Sequence, residues 1–283
     1  MKYGVAIFFT DYSISPVDMG TALEARGFES LWAPEHSHIP LTRKSAYPKG
    51  GELPKEYYDV MDPFVTLAAA ATATKTLKVG TGICLVVQRD PIQTAKSVAS
   101  LDRISDGRFL FGIGAGWNED EMANHGTTDF KGRFKLMEER VQAMREIWSK
   151  TKPEFDGAHV KFGPMMTWPK PVQKPLPVLV GGEWPHGARR ALAFGDAWMP
   201  HALRPAYGEN DVLMHLPAFR EMAKAAGRES IPITAFNPPA KPDTLQRYRD
   251  AGIERVVFSI AAEDKDKTLA TLDRLAGAMK QTG

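Results

Sequence analysis

A few short stretches of the chain hold residues able to wall in a flat organic ring. They are Phe8 and Phe9, Glu35 with His36, Gly82-Ile83-Cys84-Leu85, Gly114-Ala115-Gly116-Trp117, Gly181-Gly182-Glu183-Trp184, Pro200-His201, and Ser259. The set is aromatic, rich in glycine and poor in charge. It holds no Asp/Glu/His combination resembling a metal cage, no lysine placed for a Schiff base, and no paired carboxylates placed for glycoside hydrolysis. Glycine lets a ring approach the backbone and aromatic side chains enclose it, so the set suits an isoalloxazine-like cofactor. Any one of these glycines alone reads more simply as a tight turn.

These stretches form one site only if the intervening elements bring them together. Apolar runs rich in Val, Ile and Phe alternate with segments of helical period along the whole length. Strands are expected near residues 3–9, 29–33, 77–83, 108–113, 177–181, 196–199, 231–236 and 255–260. Helices are expected near 16–26, 59–73, 91–104, 132–150, 186–194, 212–226, 241–251 and 265–280. Ala25-Arg26-Gly27-Phe28 and Asp250-Ala251-Gly252-Ile253 share a helix-ending pattern, with glycine at a left-handed C′ position, and Phe194-Gly195-Asp196 repeats the theme. Eight such units predict a single-domain (β/α)8 barrel over residues 1–283, with chemistry at the C-terminal ends of its strands.

An open, doubly wound sheet would call for a Gly-x-Gly-x-x-Gly turn after the first strand. That strand ends Phe8-Phe9-Thr10-Asp11, and the run from Gly112 to Trp117 has Trp117 where the third glycine would stand. Two segments exceed ordinary connections. Residues 35–58, after the second strand, read as a substrate-shaping lid; residues 151–176, before the fifth, read as an extended crossing segment.

Composition narrows the class. With 43% hydrophobic and 25% charged residues the chain can bury a sizeable core, and a net charge of +2 with interspersed signs argues against nucleic-acid binding. Its one cysteine, Cys84, cannot form an internal disulfide, and no Cys/His cluster has zinc spacing. The start lacks the signal-peptide pattern, and the longest apolar stretch, 64–73, is too short to span a bilayer. A cytoplasmic setting without membrane attachment is expected.

Several linked motifs carry a specific resemblance. They are Val79-Gly80-Thr81-Gly82-Ile83-Cys84 through Arg89-Asp90-Pro91, then Leu101-Asp102-Arg103-Ile104-Ser105-Asp106-Gly107-Arg108. Phe111-Gly112-Ile113-Gly114-Ala115-Gly116-Trp117-Asn118 with Glu121, Pro169-Lys170-Pro171-Val172-Gln173 and Val180-Gly181-Gly182 complete the pattern. Nearly the whole chain resembles the bacterial luciferase-like superfamily, most closely its coenzyme F420-dependent branch.

The resemblance implies a bulge ending the third strand, with a non-prolyl cis peptide at Gly82–Ile83 cupping the cofactor. It implies that His36, paired with Glu35, contacts the reacting part of the cofactor and handles a proton, which a side chain titrating near neutrality can do. Cofactor-binding positions expected on this basis are Gly82, Ile83, Cys84, Leu85, Gly114, Gly116, Trp117, Gly181, Gly182 and Glu183, with Arg189 added as a phosphate partner from its place on the following helix. Phe8, Phe9 and His201 are expected to shape the substrate pocket. The implied function is hydride transfer between reduced F420 and a small organic substrate, in a homodimer supplied with reduced cofactor by an external reductase. The alternatives are an FMN-dependent two-component monooxygenase and a non-enzymatic flavin-binding protein. Trp117 stands where the sugar-phosphate dehydrogenase of this branch carries a catalytic Glu, which speaks against that route of hydroxyl oxidation.

Overall fold

The computed structural model describes residues 1–48, 50–202 and 211–282. The chain opens with β1 (Lys2–Ala6), α1 (Pro16–Ala25) and β2 (Ser30–Ala33). After the long segment that follows come α2 (Glu56–Asp59) and α3 (Pro63–Thr72). β3 (Lys78–Thr81) and β4 (Cys84–Leu85) flank a bulge, and α4 (Pro91–Ile104) leads to β5 (Phe109–Gly114). α5 (Glu119–Asn124), α6 (Arg133–Ser149) and a small antiparallel ribbon, β6 (Phe155–Asp156) with β7 (Lys161–Phe162), follow. β8 (Val178–Gly181), α7 (His186–Phe194), β9 (Ala197–Met199) and α8 (Val212–Ala225) continue the alternation. β10 (Thr234–Phe236), α9 (Pro242–Asp250), β11 (Arg255–Ser259) and α10 (Lys265–Lys280) complete it.

Eight parallel strands pair in the order β10-β11-β1-β2-β3-β5-β8-β9. The ring closes through parallel bridges Trp198 to Ile233 and His201 to Phe236, giving a (β/α)8 barrel. The barrel's width is taken up from inside by large side chains facing glycines. Trp32 donates its indole N–H to Ser30 Oγ at 2.9 Å. A Cβ on Gly4 or Gly80 would stand 2.8 or 2.7 Å from its ring, and one on Gly112 would meet the Thr81 carbonyl at 2.1 Å. Leu110, Leu179, Met199, Phe236 and Val257 fill the remaining interior.

At the N-terminal end of the barrel the interior is closed by an ion pair. Arg255 donates to both carboxylate oxygens of Glu29 at 2.8 Å each and also reaches Thr234 Oγ1. Burial alone would raise the Glu29 carboxyl, but the hydrogen bonds and charge of Arg255, with Lys78 nearby, hold it down at about 2. A folded-state value below the unfolded one stabilises the fold above the ordinary carboxylate range, and that stability drains away as pH falls toward 2. Urea melts across this acid range are expected to show wild type losing about 3 kcal/mol that Glu29→Gln does not lose. Parallel curves for the two proteins would refute the assignment.

The structure departs from the expected elements in physical detail. The helix expected at 59–73 is two, because Pro63 keeps Asp62 out of the helical region and Asp62 then caps α3 by accepting from Phe64 N at 2.8 Å. Gly27 and Gly252 have φ of +77° and +75° and end their helices as expected. Gly195 is extended at φ −88°, and it is small because a Cβ there would sit 2.5 Å from Val180. The strand expected at 231–236 shortens to Thr234–Phe236, and α5 is an additional helix. The 151–176 segment is tied down by buried Asp102, which accepts from Val172 N at 2.6 Å and from Gln173 N and Nε2 at 3.0 and 2.7 Å. Much of that motif therefore serves as a bracket for the fold.

Candidate active site

His36 leaves the C-terminal end of β2 and is buried. Its Nδ1 lies 2.7 Å from Oε2 of Glu121, a fully buried carboxylate on α5. The other oxygen of Glu121 accepts the Ser37 backbone N–H at 3.0 Å. A carboxylate so placed accepts, so Nδ1 carries the hydrogen and Nε2 is the atom left for chemistry in the cavity that His36 lines. Tyr57 lies 5.3 Å from the imidazole and Trp117 meets it edge-on at 5.7 Å. Phe8 packs on Tyr57 at 4.6 Å.

Glu35 is engaged differently. It accepts from Leu85 N at 2.6 Å and from the Arg89 guanidinium, which also reaches Asp62 at 2.6 Å. Its carboxylate thus pins β4 behind the bulge, and the acidic partner of His36 is Glu121. The Gly82–Ile83 peptide is cis. A Cβ on Gly114 would fall 1.9 Å from Ile83 Cδ1, and one on Gly181 would lie 3.2 Å from Ile83 Cγ2. These glycines make room for Ile83, which forms an apolar boss at the top of the barrel.

A cavity of about 490 Å³ opens at this end of the barrel. It is lined by Phe8, Glu35, His36, Gly82, Ile83, Leu85, Gly114, Gly116, Trp117, Gly181, Gly182, Glu183 and His201 among the residues expected there. Three expected residues lie elsewhere. Phe9 is buried outside the cavity, where its carbonyl accepts from Met61 N at 2.8 Å. Cys84 is buried in the core, where burial first and the Glu35 charge second push its thiol well up, leaving it inert. Arg189 is exposed; the α7 arginine that lines the cavity is Arg190.

Arg190 and Arg133 sit over the Phe134 ring at 3.9 and 4.3 Å. Neither meets a carboxylate in an ion pair among the described residues. Burial, and for Arg190 also the neighbouring Arg133, lowers the pKa of both guanidiniums. Arg190 Nε is buried without a hydrogen-bond partner. Beside them Gly182 adopts φ +134°, and a Cβ on Gly187 would meet its carbonyl at 2.1 Å, so the start of α7 is packed tightly against this loop. His201 and Glu183 form a second imidazole–carboxylate pair in the cavity at 2.8 Å.

The 35–58 segment is anchored at α5. Asp120 accepts from Lys44 N at 2.9 Å, Ser45 Oγ accepts from Glu119 N at 3.0 Å, and Ser37 Oγ lies 2.6 Å from His125 Nε2. Sequence reasoning missed Tyr47, Arg133, Arg190 and the role of Glu121. The Asn118-x-x-Glu121 spacing was a usable signal, because Asn118 caps α5 through Glu121 N and leaves that carboxylate near the strand end.

The profile of the luciferase-like monooxygenase family matches residues 15–278. The chain belongs to that family. An uncharacterised protein of Mycobacterium tuberculosis (strain H37Rv) is 36% identical over 284 residues, covering 99% of each chain. The F420-dependent hydroxymycolic acid dehydrogenase of the same organism is 28% identical over 210 residues, 74% of this chain and 53% of that one. The fold is shared with an F420-dependent secondary alcohol dehydrogenase solved with an F420–acetone adduct, at a TM-score of 0.76 and 19% identity over the full length of both chains. This luciferase-like family member has no helix, among its described residues, long and apolar enough to cross a membrane.

Proposed function

We propose that the chain transfers a hydride between reduced coenzyme F420 and a small organic substrate at the barrel mouth, with a separate reductase supplying the reduced cofactor. The observation that carries this reading is the buried His36–Glu121 pair, whose imidazole lines an aromatic cavity beside the Ile83 boss. The residues fit a flat ring bearing a phosphate. Ile83 offers an apolar support, and among the described residues neither Arg133 nor Arg190 forms an ion pair with a carboxylate. The F420-dependent relative points the same way.

Bound there, a deazaflavin supplies two-electron hydride chemistry. The protein's part is to hold, orient and protonate. His36, in its protonated form, gives the Nε2 proton to a substrate atom, and Glu121 stabilises the imidazolium. Phe8, Tyr57 and Trp117 exclude water around that imidazole. Equilibrium titration with oxidised and reduced F420 and FMN, followed by single-turnover hydride transfer, tests the reading. Tighter binding of F420 and hydride transfer without O2 uptake are expected. Tighter binding of FMN with O2 consumption would replace it with a monooxygenase.

The proposal includes a homodimer through the outward side of α3. Val65 there is 69% exposed, with Met61 at 42% just before it, in a surface bordered by small alanines. Light scattering at micromolar concentration is expected to report twice the chain mass, and Val65→Lys to shift it toward one. A wild type of single-chain mass removes the dimer.

A further inference from the structure

We propose that His201, oriented by Glu183, is a second proton-transfer residue of this site, working across the barrel mouth from His36; this rests on the hydride-transfer reading above. Strand order places the two on opposite walls. Counting around the ring, β2 is separated from β9 by three strands on one side, β3, β5 and β8, and by three on the other, β1, β11 and β10. His36 follows β2 and His201 follows β9, and both line the same cavity.

The two histidines are built alike. Each has Nδ1 beside a carboxylate, at 2.7 Å for His36 and 2.8 Å for His201, so each keeps its Nδ1 hydrogen and turns to Nε2 for chemistry. They differ in access to water. The His36 side chain is 6% exposed and that of His201 37%. His201 is also held from its backbone by the bridge to Phe236. One imidazole is sealed among aromatic rings, while the other can exchange protons with bulk solvent.

Hydride chemistry on a carbonyl-type acceptor has work for both. The hydride brings an electron pair to the acceptor carbon, the π pair moves to oxygen, and that oxygen takes one proton. The neutral reduced carrier, on losing hydride, must also shed one proton. In the reductive direction His36 gives its Nε2 proton to the oxygen and regains one from water at product release, while His201 Nε2 would take the proton shed by the carrier and release it to water. Atoms and charge then balance without another co-reactant.

Among the described residues, the other titratable groups at the cavity lie on other walls or are already engaged. On the β2 side Glu35 is held by Arg89, and the lid contributes Glu56 with the hydroxyls of Tyr47 and Tyr57. Arg133 and Arg190 are permanent cations, and Asp211, at the start of α8 beyond His201, is engaged by Tyr248 at 2.9 Å and by Arg247 at 3.6 Å.

NMR of histidine-labelled protein reads the proposal without any acceptor. Glu183→Gln is expected to lower the titration midpoint of His201 alone, and Glu121→Gln that of His36 alone. Saturation with oxidised F420 should shift the resonances and midpoints of both. In turnover, His201→Asn should lower kcat on the order of 10²-fold, remove one of two ionisations from the pH–rate profile, and recover partly with added imidazole. An F420-insensitive His201 resonance, or an unchanged pH–rate profile in His201→Asn, overturns the proposal. If His36→Asn is slowed and His201→Asn is not, only this second role fails; if neither is slowed, the proton chemistry of the parent reading fails with it.

Discussion

His36→Ala is expected to turn over on the order of 10²-fold more slowly than wild type at saturating cofactor, the scale of a lost general acid–base group. The loss should not be confused with unfolding, because this substitution has a stability cost of its own. Glu121 is fully buried, and without the imidazole its carboxylate keeps, among the described residues, the Ser37 contacts alone. A buried carboxylate robbed of its partner costs about 3–5 kcal/mol when charged, less if it takes up a proton instead. His36→Asn separates the effects, since its side-chain amide can donate to Glu121 while offering nothing that titrates near neutrality. The Asn variant should melt close to wild type and turn over as slowly as the Ala variant. Calorimetry and single-turnover rates on the pair decide the matter. A histidine with a purely structural role predicts normal turnover in the folded fraction of both.

Arg190→Met should weaken cofactor binding roughly 10- to 10²-fold, the range of one lost charge-assisted hydrogen bond, while leaving the free protein as stable or more so. The reasoning rests on what Arg190 lacks. Its guanidinium is partly desolvated beside Arg133, pairs with no carboxylate among the described residues, and leaves Nε unsatisfied there. Such a cation is a burden on the free fold that a bound anion would relieve. Methionine keeps the contact with Phe134 and removes the charge, so stability should rise by about 0.5–1 kcal/mol. Dissociation constants from fluorescence titration and melting temperatures test both halves. A variant that melts lower and binds normally would make Arg190 a structural residue.

Much of this was legible in the amino-acid order, and the misses have definite causes. The barrel was readable because each strand is a short apolar run, and because Gly27 and Gly252 do end helices in the left-handed region. Gly195 looked the same in the sequence, yet its size answers to Val180 across the helix–strand contact, which no local pattern records. Phe9 and Cys84 were misplaced for different reasons. Side chains alternate along β4, so Leu85 lines the mouth while Cys84 turns into the core; Phe8 and Phe9 follow the end of β1, where no period tells which of them faces the cavity. Arg189 and Arg190 are a step of about 100° apart on α7, enough to send one to solvent and the other to the cavity. Glu121 lies 85 positions from His36, and their meeting depends on a short helix with no apolar stripe to announce it.

That short helix joins two things usually considered apart. Its residues grip the lid at Lys44 and Ser45 and, one position on, hold the imidazole through Glu121. Residues 44 and 45 and the imidazole therefore share one support. A substrate that displaces residues 44 and 45 is expected to disturb the same support that aims Nε2. An ill-fitting guest should then find the reagent swung out of line, so that discrimination among substrates would show in the rate of the chemical step as well as in binding.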